Sequence, residues 1–172
     1  MKQIFTAIIL LCGPLCFAQT SPNTATKQPL NPTFSITVAP PAAPIRLGSP
    51  INVTVTVKNI SGKEIYIETT RSQDARYLDF AYLLLKDGHE VETTFFHRKI
   101  TGRNRPDDPQ EVWAGSYIIL PHPPGKIYEM PIDLKRLYEI KEPGVYTLEV
   151  SRFDEDSKRK VRSNTLTLTV VP

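Results

Sequence analysis

Most of the chain after residue 33 alternates apolar and polar residues in short runs, which is the pattern of half-buried β-strands. In the clearest run, residues 51–58, four aliphatic residues alternate with Asn, Thr, Thr and Lys. The run 78–86 is apolar at both sets of positions, so we expect a central strand covered on both faces. The other predicted strands are residues 34–38, 64–70, 90–100, 117–120, 127–132, 145–153 and 166–170.

Turn residues separate these runs. The sequence NISG at 59–62 predicts a turn, and Asp87-Gly88 and Pro143-Gly144 predict two more. Asp133 is placed to cap a single helical turn near residues 133–138, because its carboxylate can accept the free N–H groups of that turn. With about eight or nine short strands and no long helix, the pattern predicts an all-β fold, an antiparallel β-sandwich.

A motif in the second half of the chain resembles the late-strand signature of immunoglobulin-like domains in secreted bacterial proteins. Similar patterns occur in domains appended to extracellular proteases and in bacterial proteinase-inhibitor domains. The resemblance covers about residues 33–171 and implies an immunoglobulin-like sandwich in which the Tyr146 hydroxyl ties a tyrosine corner. Its motifs concern the fold and say little about function. The motif consists of Asp133, Leu134, Leu137, Tyr138, Ile140, Pro143, Gly144, Tyr146, Leu148 and Val150.

The N-terminus has the three parts of a secretory signal peptide. Lys2 is followed by an apolar run at 4–11, and Cys16-Phe17-Ala18 places small residues before a cut after Ala18. The run is shorter than a transmembrane helix requires, so we expect an exported mature chain, periplasmic or secreted, with no integral membrane span. An uncleaved anchor is the alternative.

Both cysteines lie inside this signal, so the mature chain contains no disulfide. Lipid acylation of Cys12 or Cys16 is disfavoured because Leu11 and Leu15 stand where a lipoprotein signal has a small residue. Residues 19–32 are rich in Pro and Thr and predict a flexible linker. The domain organisation is therefore signal peptide 1–18, linker 19–32 and sandwich domain 33–172.

The charge balance is too even to imply a nucleic-acid partner, and we expect none. The full chain carries a net charge of +3, and removal of residues 1–18 takes away one Lys and leaves a net of +2. We expect a monomer whose partner is a protein or a surface polymer.

The sequence contains none of the common catalytic motifs, so we expect no enzyme and no cofactor. His89 and His122 are expected to be exposed loop residues. A metal site built from His97, His122 and an acid is a less favoured alternative to solvated histidines.

The polar segment 101–114 is long for a sandwich loop and indicates a functional surface. We expect a non-enzymatic extracytoplasmic binding module. The alternatives are a proteinase inhibitor that uses residues 101–114 and a carbohydrate-binding domain that uses Trp113 and Tyr117. Trp113 is either an exposed anchor or a plug over the core. The candidate interaction surface comprises Phe96, Arg98, Arg103, Arg105, Trp113 and Tyr117.

Overall fold

The structure, a computed structural model, describes residues 31–42, 44–70, 75–109, 111 and 117–172. The predicted signal peptide, most of the predicted linker and Trp113 lie outside these ranges. Among the helices in the described part, none is both long and apolar enough to cross a bilayer.

The described chain is an all-β sandwich, as the alternation predicts. A 3₁₀ helix at Ala75–Asp79 precedes β5, and two short α-helices, α1 (Phe95–Thr101) and α2 (Leu134–Leu137), connect strands. The strands are β1 (Phe34–Ala39), β2 (Ile45–Arg46), β3 (Asn52–Asn59), β4 (Ile65–Thr70), β5 (Ala81–Lys86), β6 (His89–Glu90), β7 (Tyr117–His122), β8 (Ile127–Asp133), β9 (Gly144–Asp154), β10 (Arg159–Arg162) and β11 (Leu166–Val171).

The strands form three sheets. One has the order β1-β3-β8, and a larger sheet has the order β2-β11-β9-β5-β6, with β10 also paired to β9. The third sheet consists of β4 and β7 alone. All pairs are antiparallel except the short contact between β11 and β2.

Strand alternation supplies the core, because residues two apart on a strand face the same side. On β3, Val53, Val55 and Val57 are fully buried while the residues between them face outwards. They join apolar residues from all three sheets in one cluster. This cluster includes Leu84 of β5, Met130 of β8 and Leu148 of β9.

Three local predictions are confirmed. The Asp133 carboxylate accepts the Lys135 N–H at 3.1 Å and so caps α2. The Tyr146 hydroxyl donates to the Glu142 carbonyl at 2.7 Å, which is the corner implied by the resemblance. Asp87 and Gly88 both have positive φ and connect β5 to β6.

The strand predicted at residues 90–100 is wrong over its second half, which forms α1. The Thr94 side chain accepts the His97 N–H at 3.1 Å, and Gly102 ends the helix with φ 67°. His97 and Ile100, three residues apart, point into the protein as a helix requires. The apparent two-residue alternation was therefore misleading.

The prediction of a doubly covered strand at 78–86 is also wrong. Its first residues belong to the 3₁₀ helix and the connection that follows, and β5 begins only at Ala81. Tyr82 and Leu84 are buried, whereas Ala81 and Leu83 are exposed. One face of β5 is thus open to solvent.

Candidate interaction surface

Arg98, one of the predicted surface residues, holds the following segment in place. Its guanidinium donates from Nε and Nη2 to the Asp108 carboxylate at 2.7 and 2.5 Å, and from Nη1 to the Thr93 carbonyl. The side chains of Arg98 and Asp108 are only 12% and 7% exposed. The hydrogen bonds from Arg98 lower the pKa of Asp108 to about 2, and the Arg105 backbone N–H adds to the effect. This pair serves the fold.

Arg103 and Arg105 lie exposed on the segment that Asp108 ties down. The Arg105 guanidinium pairs with Glu92 at 3.0 Å, and Lys141 approaches the same carboxylate at 3.4 Å. These contacts, with the hydrogen bond from Arg105 largest, lower the pKa of Glu92. Arg105 therefore reaches solvent as part of an ion-pair network and not as an isolated cation.

Phe96 is partly buried against the core. Its ring meets the Tyr77 ring edge-on, with the centroids 5.5 Å apart. The guanidinium of Arg136, an exposed residue, lies 4.6 Å from the Phe96 ring centroid and forms a cation–π contact with the ring. Phe96 thus packs inside the protein, so it offers little area to a partner.

Tyr117, in contrast, lies on an open apolar surface. The register of the β4–β7 sheet places Tyr66 opposite Pro121, and Glu68 opposite Ile119. Tyr66, Tyr117 and Ile119 are 68%, 59% and 62% exposed. We call the outward side of this sheet, with Tyr66, Glu68, Tyr117, Ile119 and Pro121, the β4–β7 face.

A groove of about 420 Å³ runs beside this face, between β4 and the end of β9. Tyr66 and Ile119 line it from the β4–β7 sheet, and Phe153, which is 50% exposed, lines it from β9. The Arg152 guanidinium crosses the groove and donates to the Glu68 carbonyl at 2.8 Å. We call this depression the edge groove. Its other lining residues are Thr33, Phe34, Lys63, Glu64, Ile65, Ile67, Asp154, Glu155 and Asp156.

Asp154 forms the buried end of the edge groove. Its carboxylate accepts the Thr33 N–H at 2.7 Å and the Ser157 hydroxyl at 2.7 Å. Burial would raise the pKa of this carboxyl, but the hydrogen bonds from Thr33 and Ser157 outweigh burial and lower it. Asp154 therefore fixes the start of β1 to the β9–β10 turn as an anion.

The histidines do not form a metal site. His122 is buried beside the Tyr128 ring, so the prediction of an exposed loop residue is wrong. His97 is buried under Tyr138, and burial is the main cause that lowers its pKa. Across the described ranges, no group of three or more His, Cys, Asp or Glu residues is arranged to hold a metal ion.

The sequence itself contains a signal for the β4–β7 face. In the run EIYIETT, the alternation that buries Ile65 and Ile67 must turn Tyr66 outwards. Of the predicted surface residues, the structure groups Tyr117 with Tyr66 and Ile119. It leaves Arg103 and Arg105 on a separate segment, and Trp113 lies outside the described residues.

Comparison with known proteins does not identify the chain. No family model matches it, and no curated protein matches it. Three solved structures of a beta-glucosidase from Listeria innocua show a distant similarity. The complex with isofagomine has 16% identity and a TM-score of 0.40 over 82% of this chain. The complex with glucose gives 14% and 0.37 over 81%, and a third structure gives 15% and 0.39 over 82%.

The chain spans 16% of the length of each of these beta-glucosidase chains. Similarities at these TM-scores give no information about the function of the chain.

Proposed function

We propose that this chain is a non-enzymatic binding module that acts outside the cytoplasm and recognises a protein or surface polymer through the β4–β7 face. The observation that carries the proposal is the exposure of Tyr66, Tyr117 and Ile119 side by side on one small sheet. Aromatic side chains grouped in this way are typical of binding surfaces, because they lose apolar contact with water when a partner covers them.

The location of the patch favours recognition over a structural role. β4 buries Ile65, Ile67 and Thr69 on its inner side and β7 buries His122, so the core does not need the outer residues. Phe96 and Arg98 already have partners inside the protein. The proposal therefore places the binding surface on the β4–β7 face and not on residues 101–114.

The extracytoplasmic location rests on the sequence of residues 1–18. An amino-terminal basic residue, an apolar run and a small residue before the cut are features that export machinery reads. The balanced charge of the remaining chain is compatible with a protein or polymer partner.

The proposal is tested by comparing three forms of the immobilised protein against extracellular and envelope fractions of its source. The wild type and Val145→Ser should retain the same component, whereas the double variant Tyr66→Ser/Ile119→Ser should lose it. Val145 is a matched control because it is also an exposed apolar residue, 53% exposed, near the start of β9. Phe153 of the groove lies about 25 Å further along the same strand. Equal retention by all three forms, or retention by none, contradicts the proposal.

Two assays separate the alternatives. A panel of secreted proteases tests inhibition by residues 101–114, and a glycan array tests carbohydrate binding. Glycan binding that depends on Tyr66 and Tyr117 would identify the partner as a surface polymer. Protease inhibition that survives the double variant would instead move the function to residues 101–114.

A further inference from the structure

The outer edge of the β1-β3-β8 sheet at β1 is closed by a side chain. The Val38 N–H donates to the Asn164 side-chain oxygen at 2.9 Å, and the Asn164 amide nitrogen donates to the Val38 carbonyl at 3.0 Å. Asn164 thus occupies the two backbone groups that an incoming strand would need at this point.

The opposite edge of that sheet, at β8, is blocked by proline. Because Val38 bonds outwards, its neighbour Ala39 bonds inwards to Thr54 of β3. The Thr54 N–H and C=O therefore point away from β8, and the backbone nitrogen of Pro131, opposite Thr54, points away from β3 to the outer edge of β8. Proline has no N–H to offer there.

The outer edge of β7 is blocked in the same way. The Glu68 carbonyl accepts Arg152, so the backbone of Glu68 points away from β7, and the backbone of Tyr66, two residues earlier, does the same. Pro121 is paired opposite Tyr66 and therefore directs its nitrogen to the outer edge of β7.

The remaining outer edges are short, charged or open over fewer residues than β4. Within the residues that the structure describes, β5 has no strand partner on one side over residues 81–84, where the Tyr82 and Leu84 carbonyls accept the Tyr138 hydroxyl and the Val91 N–H, and β11 has none on one side over residues 166–169. β2 and β6 have two residues each. β10, which pairs with β9, carries Arg159, Lys160 and Arg162 among its four residues. Short strands and cations are common ways in which proteins prevent unwanted strand pairing.

Among the described strands, β4 has the longest open edge: six residues of strand with no proline, on which described side chains occupy one backbone group, the Glu68 carbonyl. On the side away from β7, Tyr66 directs its N–H and C=O, and Glu68 its N–H, into the edge groove. The described contact there is the one from Arg152 to the Glu68 carbonyl. An array of backbone donors and acceptors at strand spacing is complementary to another extended backbone.

We propose that the edge groove binds an extended peptide with basic side chains, which adds to β4 as a third strand of the β4–β7 sheet. This inference rests on the proposed function and names the chemistry of its partner. The peptide backbone would bond to Tyr66 and Glu68, while its side chains would contact the exposed Tyr66 and Phe153 rings.

The charge of the groove selects for basic peptides. Five carboxylates line it, against the two cations Lys63 and Arg152. Lys63 already pairs with Asp156 at 3.2 Å, and Arg152 is committed to the Glu68 carbonyl. Glu155 pairs with Lys158 at 2.8 Å, so lysine or arginine on an incoming strand would meet an acidic rim at Glu64 and Glu68.

The first test measures amide hydrogen exchange in the full protein with a synthetic octapeptide of alternating lysine and valine. The amides of Tyr66 and Glu68 should become protected by about tenfold or more on saturation, because they gain hydrogen bonds. The amides of Ile65 and Ile67, which already bond to β7, serve as internal controls and should not change. A glutamate–valine octapeptide should bind at least about tenfold more weakly.

The second test removes a donor from the edge. Glu68→Pro deletes the outward N–H and should abolish peptide binding, whereas Glu68→Gln keeps that N–H, loses one charge of the acidic rim and should weaken binding only a few-fold. Because Glu68→Pro could disturb the sheet, a lysine–valine peptide N-methylated on alternate residues is tested on the wild type. A peptide that carries the methyl groups on the residues that would bond to β4 should not bind.

The outcomes are decisive in each direction. Binding that leaves the Tyr66 and Glu68 amides unprotected, equal binding of basic and acidic peptides, or no binding up to about 1 mM overturns the inference. Protection of these amides in a concentrated sample without peptide, with a dimer in sedimentation, assigns the edge to a second copy and also overturns it. If Tyr66→Ser/Ile119→Ser loses a partner that leaves the edge amides unprotected, the proposed function stands and the strand-addition inference fails.

Discussion

The strands β3 and β4 have nearly the same pattern in the sequence and opposite situations in the fold. β3 buries Val53, Val55 and Val57, and both of its edges are paired, to β1 and to β8. β4 buries Ile65 and Ile67 in the same alternating way, but it pairs on one side only, with β7. The outward residues also differ, because β3 shows Thr and Lys to solvent where β4 shows Tyr66.

The difference teaches that alternation describes the faces of a strand and not its edges. Which face is buried depends on side chains, which the sequence displays directly. Which edge is paired depends on backbone groups that every residue except proline carries. β4 is therefore a core strand by its inner face and a candidate recognition element by its outer face and free edge.

The largest expected effect is at the doubly paired strand. Met130 of β8 lies opposite Val55 and is almost completely buried. Met130→Ala should lower the free energy of unfolding by about 2–5 kcal/mol, because it leaves a cavity in the hydrophobic core. Urea denaturation followed by circular dichroism measures this. A change below about 1 kcal/mol would mean that the β1-β3-β8 sheet is not the rigid part of the protein.

A smaller effect is expected at the buried carboxylate that ends the edge groove. Asp154→Asn places an N–H₂ where donors now converge, and should lower the free energy of unfolding by about 1–3 kcal/mol. Asp154→Glu is the matched control, because it keeps the negative charge but moves the carboxylate away from its hydrogen-bond donors. If Asp154→Asn is as stable as the wild type, the bonds to Thr33 and Ser157 do not support the fold.

The same carboxylate gives a pH dependence. The pKa of Asp154 is lowered from 3.8 in the folded protein, so folding favours the charged form. Its stabilising contribution is complete above the unfolded pKa and is lost as pH falls through the folded pKa. Between about pH 5 and pH 2 the wild type should therefore lose more stability than Asp154→Asn. If the melting temperatures of the two proteins fall equally with pH over this range, Asp154 is not the group that makes stability depend on pH.

A local effect is expected where Asp108 ties down the segment before β7. Asp108→Asn weakens the contacts to Arg98 and to the Arg105 N–H. Trypsin should then cleave after Arg103 several times faster, while the melting temperature changes little. Asp107→Asn is the control, because Asp107 is an exposed neighbour on the same turn. Equal cleavage rates for both variants would show that Asp108 does not order the segment.

The smallest effect on stability is expected on the β4–β7 face. Tyr66→Ser should change the free energy of unfolding by less than about 0.5 kcal/mol, as at ordinary exposed sites. The adjacent Ile67→Ala, on the inner side of the same strand, should cost about 2–5 kcal/mol. Similar losses for the two variants would remove the distinction between the faces of β4, and with it the argument for a binding surface.

The sequence predicts the sandwich and most of its strands because side-chain alternation reports burial directly. It also contains the signals for α1, with Thr94 at its start and Gly102 at its end. These were outweighed by two adjacent Phe residues, which favour strands in a short window. The helix forms because its spacing brings Phe96 and Ile100 to the core side together.

The candidate site was harder to predict because it depends on pairing. A basic residue beside a long polar loop looks the same in the sequence whether it meets a partner or a carboxylate of its own chain. Arg98 pairs with Asp108, ten residues away, so its guanidinium is not free to bind a partner molecule. Tyr117 is exposed, but Tyr66, which shares its face, lies 51 positions away in the chain, and only the register of β4 with β7 places the two on one surface.

The contact between Asp154 and Thr33 has a mechanical consequence. Thr33 directly precedes β1, so a pull on the N-terminal segment loads this carboxylate before it reaches the first pair of the β1–β3 ladder, at Phe34 and Asn59. Once the carboxylate and the Ile60 and Ser61 N–H groups, which donate to the Thr33 carbonyl, release Thr33, the same pull separates the ladder one pair at a time. Asp154 thus resists separation of β1 from β3 under load, and this resistance falls as the solution becomes acidic and the carboxylate is protonated.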